Sequence, residues 1–65
     1  MEVPTSRQSI ASSVLVKRYV GRRLYDATNG RYVSVAQLRR WAADSVVFIV
    51  IDAETGVDVT RVVLA

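Results

Sequence analysis

Four cations fall within seven positions of this sequence, Lys17-Arg18-Tyr19-Val20-Gly21-Arg22-Arg23, with an aromatic and a glycine between them. The planar guanidinium fork bonds phosphate oxygens and guanine edges in pairs, so this cluster carries the chemistry of nucleic-acid contact. Other chemistry is poorly provided for. Histidine and cysteine are both absent, which removes imidazole bases, thiolate nucleophiles, disulfides and the ordinary zinc sites. The carboxylates are scattered, and Asp52 and Asp58 flank a turn, where such residues cap the local backbone far more often than they bind Mg²⁺. No enzyme, no metal and no cofactor is expected.

The charges are also segregated along the chain. From Lys17 to Arg40 seven cations, Lys17, Arg18, Arg22, Arg23, Arg31, Arg39 and Arg40, stand against Asp26 alone. From Trp41 onward Asp44, Asp52, Glu54 and Asp58 face only Arg61. The formal net charge of +3 therefore understates the polarity. A solvated basic face that merely keeps a valine-rich protein soluble would mix its signs, whereas this half concentrates one sign beside a turn.

These residues need a frame, and the sequence supplies the signals for one. Residues 1–13 show no hydrophobic period and are expected to form a disordered arm, leaving 14–65 as a single small domain. Every valine but Val3 lies beyond the arm, and β-branched residues at this density favour strands. The first strand is expected from Val14 to Tyr19, with Leu15, Lys17 and Tyr19 on one face and Val14, Val16 and Arg18 on the other. A second, Leu24 to Ala27, leads through Asn29-Gly30 into a third, Arg31 to Val33, as a hairpin. Tyrosines at 19, 25 and 32 alternate so that at least one should serve the core. Ser34 and Gln37 form a capping box, with Val33 and Leu38 as its staple, so a short amphipathic helix should run from Val35 to Ala43 and bury Trp41. The run Val46 to Ile51 has no polar alternation and reads as a strand buried on both faces. After it Asp52 to Gly56 should turn with Gly56 at positive φ, and Val57 and Val59 should pair back as a final strand. The expected class is α+β, a small mainly antiparallel sheet with one short helix in the order β-β-(β)-α-β-β.

Taken together, VKRYVGRRLYDATNGRYVSVAQLRRWA and FIVIDAETGVDVTRVVL resemble the N-terminal DNA-binding domain of polyhydroxyalkanoate (polyhydroxybutyrate) synthesis and accumulation regulators. The resemblance spans Val16 to Leu64. Lys17, Arg18, Tyr19, Arg22, Arg23, Leu24, Tyr25 and Asp26 fill its first element, and Arg31, Tyr32, Val33 and Ser34 its second. Asp52, Ala53, Thr55, Gly56, Asp58, Thr60 and Arg61 fill the last. Where the family pattern has Pro-Asn before the paired arginines, this chain has Val20-Gly21. The resemblance implies a bacterial transcriptional regulator, repressor-like, that binds operator DNA. Polymer or granule binding is not supported by this chain, since family members continue beyond the matched region.

The expected partner is accordingly double-stranded DNA, contacted by Lys17, Arg18, Tyr19, Arg22, Arg23, Tyr25 and Arg31. No helix-turn-helix is visible, and the one helix spends its apolar stripe on the core, so a β-hairpin or loop is expected to make the contact. A swapped-hairpin DNA binder of the AbrB-like kind shares the β-β-α-β-β order and is the alternative among DNA-binding folds. A different class of reading is an oligomerisation or protein-interaction module with solvated arginines. A 65-residue chain builds only a marginal core, so a strand apolar on both faces implies a homodimer or larger homo-oligomer. No apolar run approaches the roughly 18 residues of a membrane span, so a cytoplasmic protein without membrane contact is expected.

Overall fold

Alternation along the first strand sets the architecture. In the computed structural model, which describes residues 13–65, β1 (Val14–Tyr19) turns Val14 and Val16 inward, where both are buried, and leaves Leu15, Lys17 and Tyr19 exposed on the opposite face. It pairs antiparallel with β2 (Arg23–Asp26), which pairs antiparallel with β3 (Arg31–Val33). On its other side β1 pairs with β4 (Phe48–Asp52), and this pairing is parallel. The sheet order is β3-β2-β1-β4, so the strand bearing Lys17 and Arg18 is held from both sides. The N-terminal arm expected over residues 1–13 lies, Ser13 excepted, outside the described residues.

One helix covers one face. α1 (Val35–Ala43) starts where expected, with Ser34 in extended conformation and its Oγ accepting the Gln37 N–H at 3.1 Å. It packs Leu38 and Trp41 onto Val14, Val16, Leu24 and Val50, and Val59 closes the cluster. Trp41 meets Phe48 edge-on, ring centroids 5.7 Å apart. The helix ends in a Schellman pattern: the Ser45 N–H bonds to Ala42 C=O and the Val46 N–H to Trp41 C=O at 2.8 Å. Serine stands at the left-handed position, φ 63°, that glycine usually takes. Because the Val46 N–H is spent on this cap, β4 begins at Phe48 rather than at Val46.

The α+β class and the mostly antiparallel sheet agree with the sequence reading, and the final element differs from it. Val57 and Val59 do return beside β4, with hydrogen bonds from the Asp52 N–H to Val57 C=O and from the Val59 N–H to Val50 C=O, but among the described residues this segment forms only the isolated bridge between Ile51 and Asp58. A longer ladder is cut off by Thr60. Its hydroxyl donates to the Asp58 carboxylate at 2.7 Å and accepts the Val50 N–H at 2.8 Å, and the same carboxylate accepts the Thr60 N–H. The chain then turns into a short helix, α2 (Thr60–Leu64), instead of a strand. The edge of β4 is blunted without a partner strand. With that strand missing, the β-β-α-β-β order on which the AbrB-like alternative rested is not formed.

The second departure concerns coverage. Of the run Val46 to Ile51 only Val50 is fully buried; Val47 is 60 % and Ile49 38 % exposed. They lie on the sheet's outer face, which no element among the described residues covers.

Candidate nucleic-acid interface

Two loops built alike carry β1's neighbours. Asp26-Ala27-Thr28-Asn29-Gly30 and Asp52-Ala53-Glu54-Thr55-Gly56 share the spacing Asp-Ala-x-x-Gly. In each, the glycine N–H bonds to the aspartate C=O at 2.8 Å and the glycine sits at positive φ, 72° at Gly30 and 76° at Gly56. In each, the aspartate side chain accepts a backbone N–H three residues on, from Asn29 and from Thr55. In each, the alanine N–H donates to β1, Ala27 to Leu15 and Ala53 to Arg18. One local device thus grips β1 from both flanks. The positive φ expected at Gly56 is present, whereas the Asn29-Gly30 hairpin is a four-residue loop with only Gly30 left-handed.

The aspartates are turned inward by strand register. Asp26 pairs with Val16 and Asp52 with Arg18, both on the helix-bearing face. Asp26 is fully buried and takes both amides of Asn29, the backbone N–H and the side-chain NH₂, each at 2.8 Å. Asp52 takes the Arg18 guanidinium at 2.8 Å as well as the N–H groups of Glu54 and Thr55. The Arg18 bond, then those two N–H bonds, hold the Asp52 carboxyl below the usual carboxylate range. The N–H and hydroxyl of Thr60 do the same for Asp58.

The outer face carries the opposite chemistry. By register Tyr25 lies between Lys17 and Tyr32, and Tyr19 pairs with Arg23. Together with Leu15, Ile49 and Ile51 these residues make up the outward positions of the four strands, and no carboxylate is among them. Tyr25 and Tyr32 meet edge-to-face with centroids 5.0 Å apart. None of the three tyrosines serves the core, contrary to the expectation, because the hairpin register places all of them outward. Tyr19 is 42 % and Tyr32 63 % exposed.

The seven expected contact residues are therefore divided. Lys17, Tyr19, Arg23 and Tyr25 share the outer face. Arg18 points inward and is bound to Asp52, which makes it a brace between β1 and the second loop. Arg31 occupies an exposed position at the sheet edge, opposite Asp26. Arg22 is in the loop joining β1 to β2, with φ 66°, directly after Gly21 at φ 82°. The left-handed value at Gly21 is one that asparagine tolerates better than most other residues, so the Val-Gly and Pro-Asn versions of this loop meet the same backbone need. Arg22 itself has no such excuse; a side chain in this region costs about 1–2 kcal/mol. It leans to the helix side, where it borders shallow depressions shared with Arg18, Leu24 and Val63 and with Asp52 and Glu54. Arg23 is not paired with Asp26, which faces away from it. Tyr32 is the residue that sequence reasoning left out of the site; its alternation with Tyr25 across the hairpin was the available signal.

A family model described as the PHB/PHA accumulation regulator DNA-binding domain matches residues 15–65. Among curated proteins, the chain is 38 % identical over 53 residues to an uncharacterized protein in the phbA 5′ region of Thiocystis violacea. That alignment covers 82 % of this chain and 38 % of the relative's length. No solved structure matches significantly. Among the described residues no helix is long and apolar enough to cross a membrane.

Proposed function

The chain belongs to the PHB/PHA accumulation regulator DNA-binding domain family, and from that premise we propose that it binds double-stranded operator DNA as the reading module of a transcriptional repressor. Lys17, Arg22, Arg23 and Arg31 supply the charge, with Tyr19 and Tyr25 between them, and affinity comes chiefly from phosphate neutralisation. The observation that carries this reading is the sorting of charge by the pleat: the sheet's two carboxylates are turned inward and held, leaving Lys17 and Arg23 on the outer face with no carboxylate beside them. The backbone cost at Arg22 supports it further, since residues kept in sparsely populated conformations cluster at working sites. Arg18 acts as a positioning residue through Asp52.

The aliphatic half of the outer face, Leu15, Val47, Ile49 and Ile51, is the part we assign to a second copy of the chain. A homodimer would present two basic loops to two half-sites, and sedimentation at micromolar concentration should show it. The DNA reading is tested by mobility shift and footprinting on the region upstream of the protein's own gene. Arg22→Ala with Arg23→Ala should abolish the specific complex while the protein melts as a folded domain. Arg40→Ala, exposed in the last turn of α1, should leave the footprint in place. A folded double variant with an unchanged footprint would remove the loop from the account.

A further inference from the structure

Cations account for duplex binding, but they do not account for three tyrosines gathered on one open face. The major groove of B-DNA, about 12 Å wide, admits a helix or a two-stranded ribbon. Four strands spaced about 4.8 Å apart exceed it, so the loop and the strand ends beside it can enter a groove but the full width of the face, out to Tyr32, cannot. What fits a flat, exposed sheet face bearing aromatic rings and positive charge is a row of unpaired bases, which stack on the rings while the phosphates meet the cations.

We propose that the outer face is a stacking platform for single-stranded DNA, with Tyr19, Tyr25 and Tyr32 as its rings and Lys17 and Arg23 as its phosphate contacts. The proposal rests on the nucleic-acid reading above and adds a strand state to it. The rings lie on three successive strands. Tyr25 and Tyr32 are cross-strand partners, and Tyr19 lies diagonal to Tyr25, a separation of about 7–8 Å between such positions. The path from Tyr19 through Tyr25 to Tyr32 therefore crosses the sheet without a gap. Both cations adjoin it, Lys17 opposite Tyr25 and Arg23 opposite Tyr19. Charge complementarity selects the occupant: no outward strand position holds a carboxylate, so a polyanion meets no repulsion there, and the ring faces reward bases rather than a bare anion. The edge-to-face packing of Tyr25 against Tyr32 fixes one ring beside the other, so little side-chain freedom is lost when a base arrives.

The test measures anisotropy of a short labelled oligothymidylate and of a labelled duplex carrying the footprinted sequence, using the whole protein. The parent should bind both, with a shallower salt dependence for the single strand, because stacking supplies part of its affinity and each phosphate contact weighs less there. Tyr32→Ala should weaken the single strand by roughly tenfold or more and leave the duplex unchanged, and Tyr32→Phe should restore the single-strand affinity. Thermal melts of both variants establish that they are folded. Duplex binding with no single-strand binding, or a folded Tyr32→Ala variant with full single-strand affinity, would overturn the platform and leave the duplex reading standing. Loss of both ligands in the parent would overturn both readings. An oligoribonucleotide of matching sequence that binds tenfold tighter would overturn the assignment to DNA.

Discussion

The inner and outer faces of the sheet are made from alternate residues of the same strands, yet they hold opposite chemistry. Inward lie Val14, Val16, Leu24 and Val50 with the two strand carboxylates, Asp26 and Asp52. Outward lie Lys17, Arg23 and three tyrosines beside an aliphatic strip. The acids do structural work inward: each closes the loop that follows it, and Asp52 also neutralises Arg18, which the pleat turns the same way. What the difference teaches is that the pleat sorts the charges of the strands: both strand acids face inward and hold the scaffold, while Lys17 and Arg23 face outward with no carboxylate beside them.

If that division is right, inward substitutions should cost stability and outward ones should cost binding. The largest effect is expected at Leu38, fully buried on the core side of α1: Leu38→Ala should lower the unfolding free energy by about 2–5 kcal/mol in denaturant titration, enough to unfold a domain this small. Asp26→Ala comes next. It strips the acceptors from Asn29 inside a buried site, which should cost about 1–3 kcal/mol; a variant as stable as the parent would show that the first loop does not pin β2 to β3. Gly56→Val tests the second loop. A Cβ there meets no atom within 4 Å, so the expected loss of about 1–2 kcal/mol is conformational alone, and an unchanged melting temperature would contradict the left-handed turn.

The smallest effect is confined to acid. Asp52 and Asp58 have folded pKa values below their unfolded ones, near 3.9, so their contribution is complete above that value and disappears as pH falls through the folded pKa. Melting temperature should be flat near neutrality and decline below about pH 4, and Asp52→Asn should make the decline shallower. A variant whose acid decline matches the parent's would show that the Arg18 to Asp52 bond contributes nothing there.

Much of this division could be read from residues alone. Period-two alternation placed β1's faces correctly, Ser34 and Gln37 located the start of α1, and the glycine after Asp-Ala-Glu-Thr foretold the turn. Of what escaped, three features are decided by tertiary partners. The parallel pairing of β1 with β4 is set by α1 crossing the sheet, which no local pattern encodes. The last strand gave way to α2 because a single hydroxyl, Thr60, takes the Val50 N–H that a strand would need. Arg18 reads as one more basic residue until Asp52, 34 positions away, is seen beside it. The Asp-Ala-x-x-Gly repeat was visible at 26–30 and 52–56, but it is a repeat of two loops and not of two folding units.

The central claim is that the paired arginines of the β1–β2 loop hold the DNA, and the salt dependence of duplex binding tests it most directly. For the parent, log K against log salt should fall with a slope of about −0.9 for each phosphate neutralised. In the folded Arg22→Ala, Arg23→Ala variant the slope should flatten by about two units and discrimination between operator and unrelated duplex should vanish. An unchanged slope with full operator affinity would contradict the account and move the interface to another surface of the domain.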